Sequence, residues 1–404
     1  MKKALTRLMA ILSACVMLGS AVACGGKEES SSSSKAESSE STASSSAVEQ
    51  QQQDDNVPDT AVELVADMGM GWNLGNTMEA VAGWLGDGAG PSDFERAWGQ
   101  PITTKECIEG IKSTGFNSVR IPVAWSNMMS DDGTYTIDPA YIARVDEIIG
   151  YVLDAGMYAV VNIHWDNGWW SDFGSADQAT RDAAMAKYTA IWTQLSEHYK
   201  DYPLQLILES ANEELGGSLG ENLTDDERYT LTHDINQKFV DIVRASGSLN
   251  AERFLLIAGF NTDINMTCDG RYVMPTDTLA NHLIISVHYY TPSTYCIADN
   301  PGNSWGYMES WGTDQDKAEM RSYFEKMKKF SDAGYGVIIG EYGVCEKKDG
   351  TGMKPGHEQF AISVMDISKE FGFCPMLWDT GAWYDRTACT FKVPAVAQHL
   401  QTLQ

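Results

Sequence analysis

Two apolar, strand-like runs end on glutamates: "GVIIGEYGV" (336–344) carries Glu341, and "LQLILESANEE" (204–214) carries Glu213. One such carboxylate is as well explained by a buried ion pair. Two that face one pocket suit cleavage of a glycosidic bond, in which one attacks the anomeric carbon and the other protonates the departing oxygen. That division of labour needs one carboxyl protonated and the other ionised, so a nearby cation should sort them. Arg120, closing the run "NSVRIPV" (117–123), is the candidate cation.

The elements that would position these groups alternate regularly. Eight short apolar runs (68–75, 117–123, 158–164, 204–211, 253–259, 282–290, 335–341 and 373–379) are separated by helix-like segments, among them "TTKECIEGIKSTG" and "DERYTLTHDINQKFVDIVRASG". Several of these open on Thr or Asp and close on Gly, and a last short helix is expected around 395–403. Eight β-α units predict an α/β fold, a single (β/α)8 TIM barrel over 61–404, with the active site at the C-terminal ends of the strands. An open doubly wound sheet would need an early phosphate-binding G-x-G-x-x-G, which "GMGWNLGN" matches only in glycine content. The residues closing the runs are then the ones to read: Asn73, Arg120, His164, Asn212 with Glu213, His288 with Tyr290, Glu341 and Trp378.

Ahead of the barrel, Lys2, Lys3 and Arg7 precede a short apolar segment running into "AVAC", which resembles a bacterial lipoprotein box. Residues 1–23 are expected to be a signal peptide, and Cys24 a lipid attachment point. Residues 24–60, dominated by Ser, Gln and acidic side chains with nothing to bury, read as a disordered tether. The expected location is the bacterial cell surface, with ordinary secretion as the alternative. Of the eight cysteines, six fall in the barrel, scattered singly and without metal spacing. The formal charge is −27, and −30 without the leader cations, which disfavours nucleic acid and suits a neutral polymer.

The motifs "GWNLGN" (71–76), "GFNSVRIPVAW" (115–125), "NIHWD" (162–166), "ANEE" (211–214), "SVHYYTP" (286–292), "IIGEYG" (338–343) and "LWDTG" (377–381) together resemble the ordered series of glycoside hydrolase family 5. The resemblance implies a retaining endo-β-1,4-glucanase acting on cellulose-type, mixed-linkage or xyloglucan chains, with no cofactor and no metal. It implies Glu213 as acid/base and Glu341 as nucleophile. Arg120 would hold Glu341 ionised, and His164, Asn212, His288 and Tyr290 would complete the site. Asn212 would meet the sugar 2-hydroxyl and Trp378 would form the floor. The family usually has proline after the acid/base, where this chain has Glu214.

Ten of the twelve tryptophans, all but Trp72 and Trp192, fall at or just after a run's end, with Tyr289, Tyr290 and Tyr295 in the sixth loop. Sugar faces stack on such rings, so a long cleft and internal cleavage are expected. A monomer is expected as well. Three other readings remain. A mannanase or xylanase would differ only in loop contacts. A sugar-binding lipoprotein would need no carboxylate pair. Metal-assisted hydrolysis would use His164, Asp166, His288 and the glutamates.

Overall fold

The computed structural model describes residues 57–86 and 88–404. The signal peptide expected over 1–23, Cys24 and the tether as far as residue 56 lie outside the described residues. Eight parallel strands, β1 (Gly71–Leu74), β2 (Ser118–Ile121), β3 (Tyr158–Asn162), β4 (Leu206–Glu209), β5 (Leu255–Asp263), β6 (Leu283–Tyr289), β7 (Gly336–Tyr342) and β8 (Cys374–Asp379), close in chain order into one barrel. Each of the eight apolar runs holds the start of one strand; β5 and β7 continue past their runs, by four residues and by one.

The helices are α1 (Ala61–Asp67), α2 (Pro91–Glu95), α3 (Lys105–Thr114), α4 (Pro139–Asp154), α5 (Gln178–Tyr199), α6 (Asp225–Ala245), α7 (Ile264–Thr267), α8 (Ser293–Cys296), α9 (Asp314–Ser331), α10 (His357–Phe371) and α11 (Pro394–Thr402). Their ends follow local chemistry. The Thr104 hydroxyl accepts from the Cys107 amide to start α3, and Gly115, at φ +116°, stops it. Thr224 and Glu227 cap each other's backbone at the start of α6. One departure from a regular barrel is the β5–β6 connection, which carries only the four-residue α7. The segment that follows, "CDGRYVMPTDTLANH", is broken by Gly, Pro and Asp and offers no apolar face for a longer helix.

Because side chains alternate along a strand, each strand splits its residues between two cores. Val160, Ile207, Leu256, Ile284, Ile338 and Met376 form one cluster with Leu64, Val65 and Met68 of the α1 segment, so α1 plugs one end of the barrel interior. The alternate residues, such as Val119, Val161, Leu208 and Ile285, pack against the helices. The six cysteines of the described residues are free.

Candidate active site

Strand register brings the site together. Asn73 of β1 sits level with Arg120 of β2 and with Trp378 of β8. His288 of β6 sits level with Glu341 of β7. The second pairing depends on an irregularity, since Val287 pairs with Ile339 and the next pair is His288 with Glu341. Gly340 is the extra residue of a bulge. Simple alternation would turn Glu341 outward with Ile339, and the bulge re-aims it inward. Gly340 is required there, because a Cβ would lie 2.7 Å from Ser286 Oγ and 3.0 Å from His288 Nε2.

Glu341 accepts from Arg120 Nη1 at 2.9 Å and from the Tyr290 hydroxyl at 3.0 Å. Glu213 Oε1 lies 2.7 Å from His288 Nδ1, and its side chain stays 27% exposed, open to an incoming ligand. Ligand atoms of Glu213, His288 and Glu341 all lie within 4.8 Å of one another. The carboxyls of retaining glycosidases stand about 5–5.5 Å apart, which this spacing fits. Burial pushes Glu213 up to about 7, with only Arg120 lowering it. Burial also raises Glu341, but the Arg120 guanidinium that donates to it opposes the rise. Burial depresses His288 to about 4 and His164 well below the usual range, so both imidazoles are neutral. One carboxyl therefore keeps its proton near neutrality, while the other rests on a cation.

Arg120 is not devoted to Glu341 alone. Its Nε donates to Glu209 Oε2 at 2.7 Å and its Nη2 to Glu209 Oε1 at 3.3 Å, a fully buried bidentate pair. The remaining donors reach Asn73 Oδ1 at 3.1 Å and Asn212 Oδ1 at 2.9 Å. Glu209 was missing from the sequence-based site, although the strand period marks it: it stands two residues beyond inward-facing Ile207. Asn73, read as a run end but given no role, straps the bulge by donating to the Gly340 and Met376 carbonyls at 2.9 and 3.1 Å. With its oxygen held by Arg120, Asn212 presents its Nδ2 group, which also donates to Glu214 Oε1 at 3.3 Å.

Trp378 is partly exposed and lies parallel to His164, with centroids 5.8 Å apart. The aromatic rim is thinner than the sequence suggests. Trp125, Trp170, Trp311 and Trp383 are buried, as are Tyr289 and Tyr295. Tyr289 follows inward-facing His288, so alternation turns it outward onto Tyr323, Phe324 and Phe360. Trp84, Trp98, Trp165, Trp169, Trp305 and Trp378 retain exposed surface. Asp166 is a fastener: at φ +48° it accepts from the Ser126 amide and hydroxyl at 2.8 and 2.7 Å and from Trp169 Nε1 at 2.8 Å. Of the groups weighed for a metal, only Glu213, His288 and Glu341 converge. The guanidinium on Glu341 already supplies positive charge there.

Residues 84–383 match the family described as Cellulase (glycosyl hydrolase family 5). A xyloglucan-specific endo-β-1,4-glucanase of Bacteroides ovatus is 32% identical over 344 residues, covering 81% of this chain and 67% of that protein. A broad-specificity endoglucanase from an uncultured bovine rumen ciliate superposes with a TM-score of 0.74 at 34% identity, covering 86% of this chain and 98% of that one. Another, from Ruminococcus champanellensis with bound cellotriose, gives 0.74 at 31% identity over 85% of this chain and 99% of that one.

Proposed function

The chain belongs to glycosyl hydrolase family 5, and we propose that it is a retaining endo-β-1,4-glucanase whose acid/base is Glu213 and whose nucleophile is Glu341. The observation that carries this reading is the pair itself: two carboxyls at retaining separation, one resting on Arg120 and Tyr290 and the other half-open beside a neutral histidine. In the first step an oxygen of Glu341 bonds to the anomeric carbon as that carbon's bond to the glycosidic oxygen breaks, and the Glu213 proton passes to the departing oxygen. In the second, Glu213 takes a proton from water, which displaces Glu341. Asn212 Nδ2 is placed to donate to the sugar 2-hydroxyl, and Trp378 to lie under the ring. Related enzymes with bound cellotriose or specificity for xyloglucan support a β-1,4-glucan backbone as the substrate. The leader, the "AVAC" box and the Ser-rich tether support display outside the cell through lipid on Cys24; Cys24→Ala should then release activity into the medium.

The test is oligosaccharide release from carboxymethylcellulose, barley β-glucan, xyloglucan, glucomannan and xylan. We expect the first three to be cut with a rapid fall in viscosity. Preference for glucomannan or xylan would overturn the glucanase assignment.

The charge arrangement also fixes a pH profile. Glu341 must be ionised and Glu213 protonated. Glu341 is raised above the ordinary carboxylate range, so kcat/KM should climb through mildly acidic pH. It should then fall as Glu213 loses its proton around pH 7. A profile still rising at pH 8 would contradict this assignment of the acid. The bulge gives a further expectation. Gly340→Ala pushes on His288 and displaces Glu341, and a misplacement of this kind lowers kcat by about 10²-fold. A variant that keeps wild-type kcat would show that the bulge does not aim the nucleophile.

A further inference from the structure

Glu213 stands on a loop, not on a strand: β4 ends at Glu209, and α6 begins only at Asp225. The contacts of that loop must therefore keep its carboxyl in place. Upstream, the loop is tied at Ser210, whose amide donates to the Leu256 carbonyl and whose carbonyl accepts from the Tyr188 hydroxyl, both at 2.9 Å. Downstream, Glu214 leaves its own φ free, as a proline would not. The tie there comes from β5. The Asn261 amide donates to the Leu215 carbonyl, and Asn261 Oδ1 accepts from the Gly217 amide, each at 2.6 Å.

Both sides are shaped for this contact. Between two level pairs, β5 advances from Ala258 to Asp263 while β6 advances only from Ser286 to His288, so β5 bulges by three extra residues. The bulge carries Asn261 and Thr262 at φ +51° and +47°. That left-handed region admits Asn but strains a β-branched residue such as Thr. Opposite, Gly216 at φ +138° comes so close that a Cβ would lie 2.4 Å from Asn261 Oδ1 and 3.0 Å from Phe260 Cε1. The bulge has a firm base: Phe260 stacks on Tyr229 of α6 with centroids 3.9 Å apart, and Asp263 accepts from the Met266 amide at 2.8 Å. Backbone strain held so firmly, at the strand end level with the histidine that meets Glu213, points to a use in the reaction.

Resting on the assignment of Glu213 as acid/base, we propose that Asn261 is a positioning residue for proton transfer: from the β5 bulge it clamps the loop just beyond Glu213 and so holds that carboxyl within reach of the departing oxygen. It acts through the Leu215 carbonyl and the Gly217 amide, not on the sugar. With the clamp loosened, the loop keeps its ties at Ser210 and Asn212 but loses one that follows Glu213, so the acid is displaced while Arg120 on β2 and Glu341 on β7 stay in place. The two proton transfers of Glu213, to the departing oxygen and from water, then slow. The attack by Glu341 does not.

Asn261→Gly keeps the amide donor and tolerates the left-handed backbone, so it removes only the acceptor of the Gly217 amide. Asn261→Asp keeps an acceptor there. With barley β-glucan, Asn261→Gly should lower kcat by about tenfold or more and leave KM within about twofold, since a misplacement of about 1 Å can cost about 10²-fold. With 2,4-dinitrophenyl β-cellobioside, whose leaving group needs no proton, the burst of phenolate should keep its wild-type rate. The steady rate after the burst should fall, because the second step still needs Glu213 to take a proton from water. Asn261→Asp should keep polymer turnover within about threefold of wild type. Gly216→Ala presses on the same oxygen from the loop side and should split the two substrates in the same way, which decides the matter if Asn261→Gly does not fold. A burst slowed as much as polymer cleavage in either variant would overturn the proposal, as would an Asn261→Asp variant as impaired as Asn261→Gly. A wild type that cleaves neither substrate would overturn the glucanase reading and the proposal with it, whereas an active wild type matched by Asn261→Gly on the polymer would overturn the proposal alone.

Discussion

Glu341→Gln and Glu213→Gln each remove nearly all hydrolysis of soluble β-glucan while leaving the melting transition close to wild type. Loss of the acid lowers polymer turnover by about 10²–10⁴-fold, the range of general acid catalysis. Loss of the nucleophile is at least as severe, because the glycosyl-enzyme then has no Glu341 carboxylate on which to form. The two variants separate on an activated substrate. Dinitrophenolate leaves without protonation, so Glu213→Gln should still form the glycosyl-enzyme from 2,4-dinitrophenyl β-cellobioside and release a burst of phenolate. Glu341→Gln should release none. With Glu213 shortened to Ala, azide can enter the vacated space and attack the same face as water, giving the β-glycosyl azide. An α-azide there, or a burst from the Glu341 variant and not from the Glu213 variant, would reverse the two roles.

Much of this was legible in the chain because a parallel barrel strand is buried on both faces. It therefore reads as a short apolar run whose end must be where polar chemistry begins. All eight strands, and the rim residues Arg120, His164, Asn212, Glu213, His288, Tyr290, Glu341 and Trp378, follow from that one regularity. What escaped depends on which way a side chain faces. Glu209 sits inside a run rather than at its end, and only the alternation Ile207, Ser118 and Arg120 inward places it opposite the guanidinium. The Gly340 bulge breaks that same alternation. Counting from Ile338 without it would point the nucleophile at the helices. The tryptophans show the limit from the other side. Position after a strand end brings Trp125, Trp170, Trp311 and Trp383 to the right end of the barrel, but the 3₁₀ turns and loops there fold them into the core.

The Glu209 pair changes what Arg120 is expected to do. Removing a buried cation from between two carboxylates leaves uncompensated charge, so Arg120→Met should destabilise the fold by about 3–5 kcal/mol, read as a shift in the urea midpoint. Replacing both members of such a pair with apolar side chains of similar volume is often close to neutral. Arg120→Met/Glu209→Leu should accordingly recover most of that loss. Activity should not return with stability, because Glu341 then lacks its cation, Asn212 lacks the donor that fixes its oxygen, and burial alone drives the nucleophile toward its protonated form. The double variant thus divides one residue's two functions: the pairing with Glu209 belongs to folding, and the pairing with Glu341 and Asn212 belongs to the reaction. If stability and turnover recovered together, Arg120 would be a scaffold alone and Tyr290 would have to hold the nucleophile ionised. If neither recovered, the Asn73 and Asn212 contacts of the guanidinium would carry more of the fold than the ion pair does.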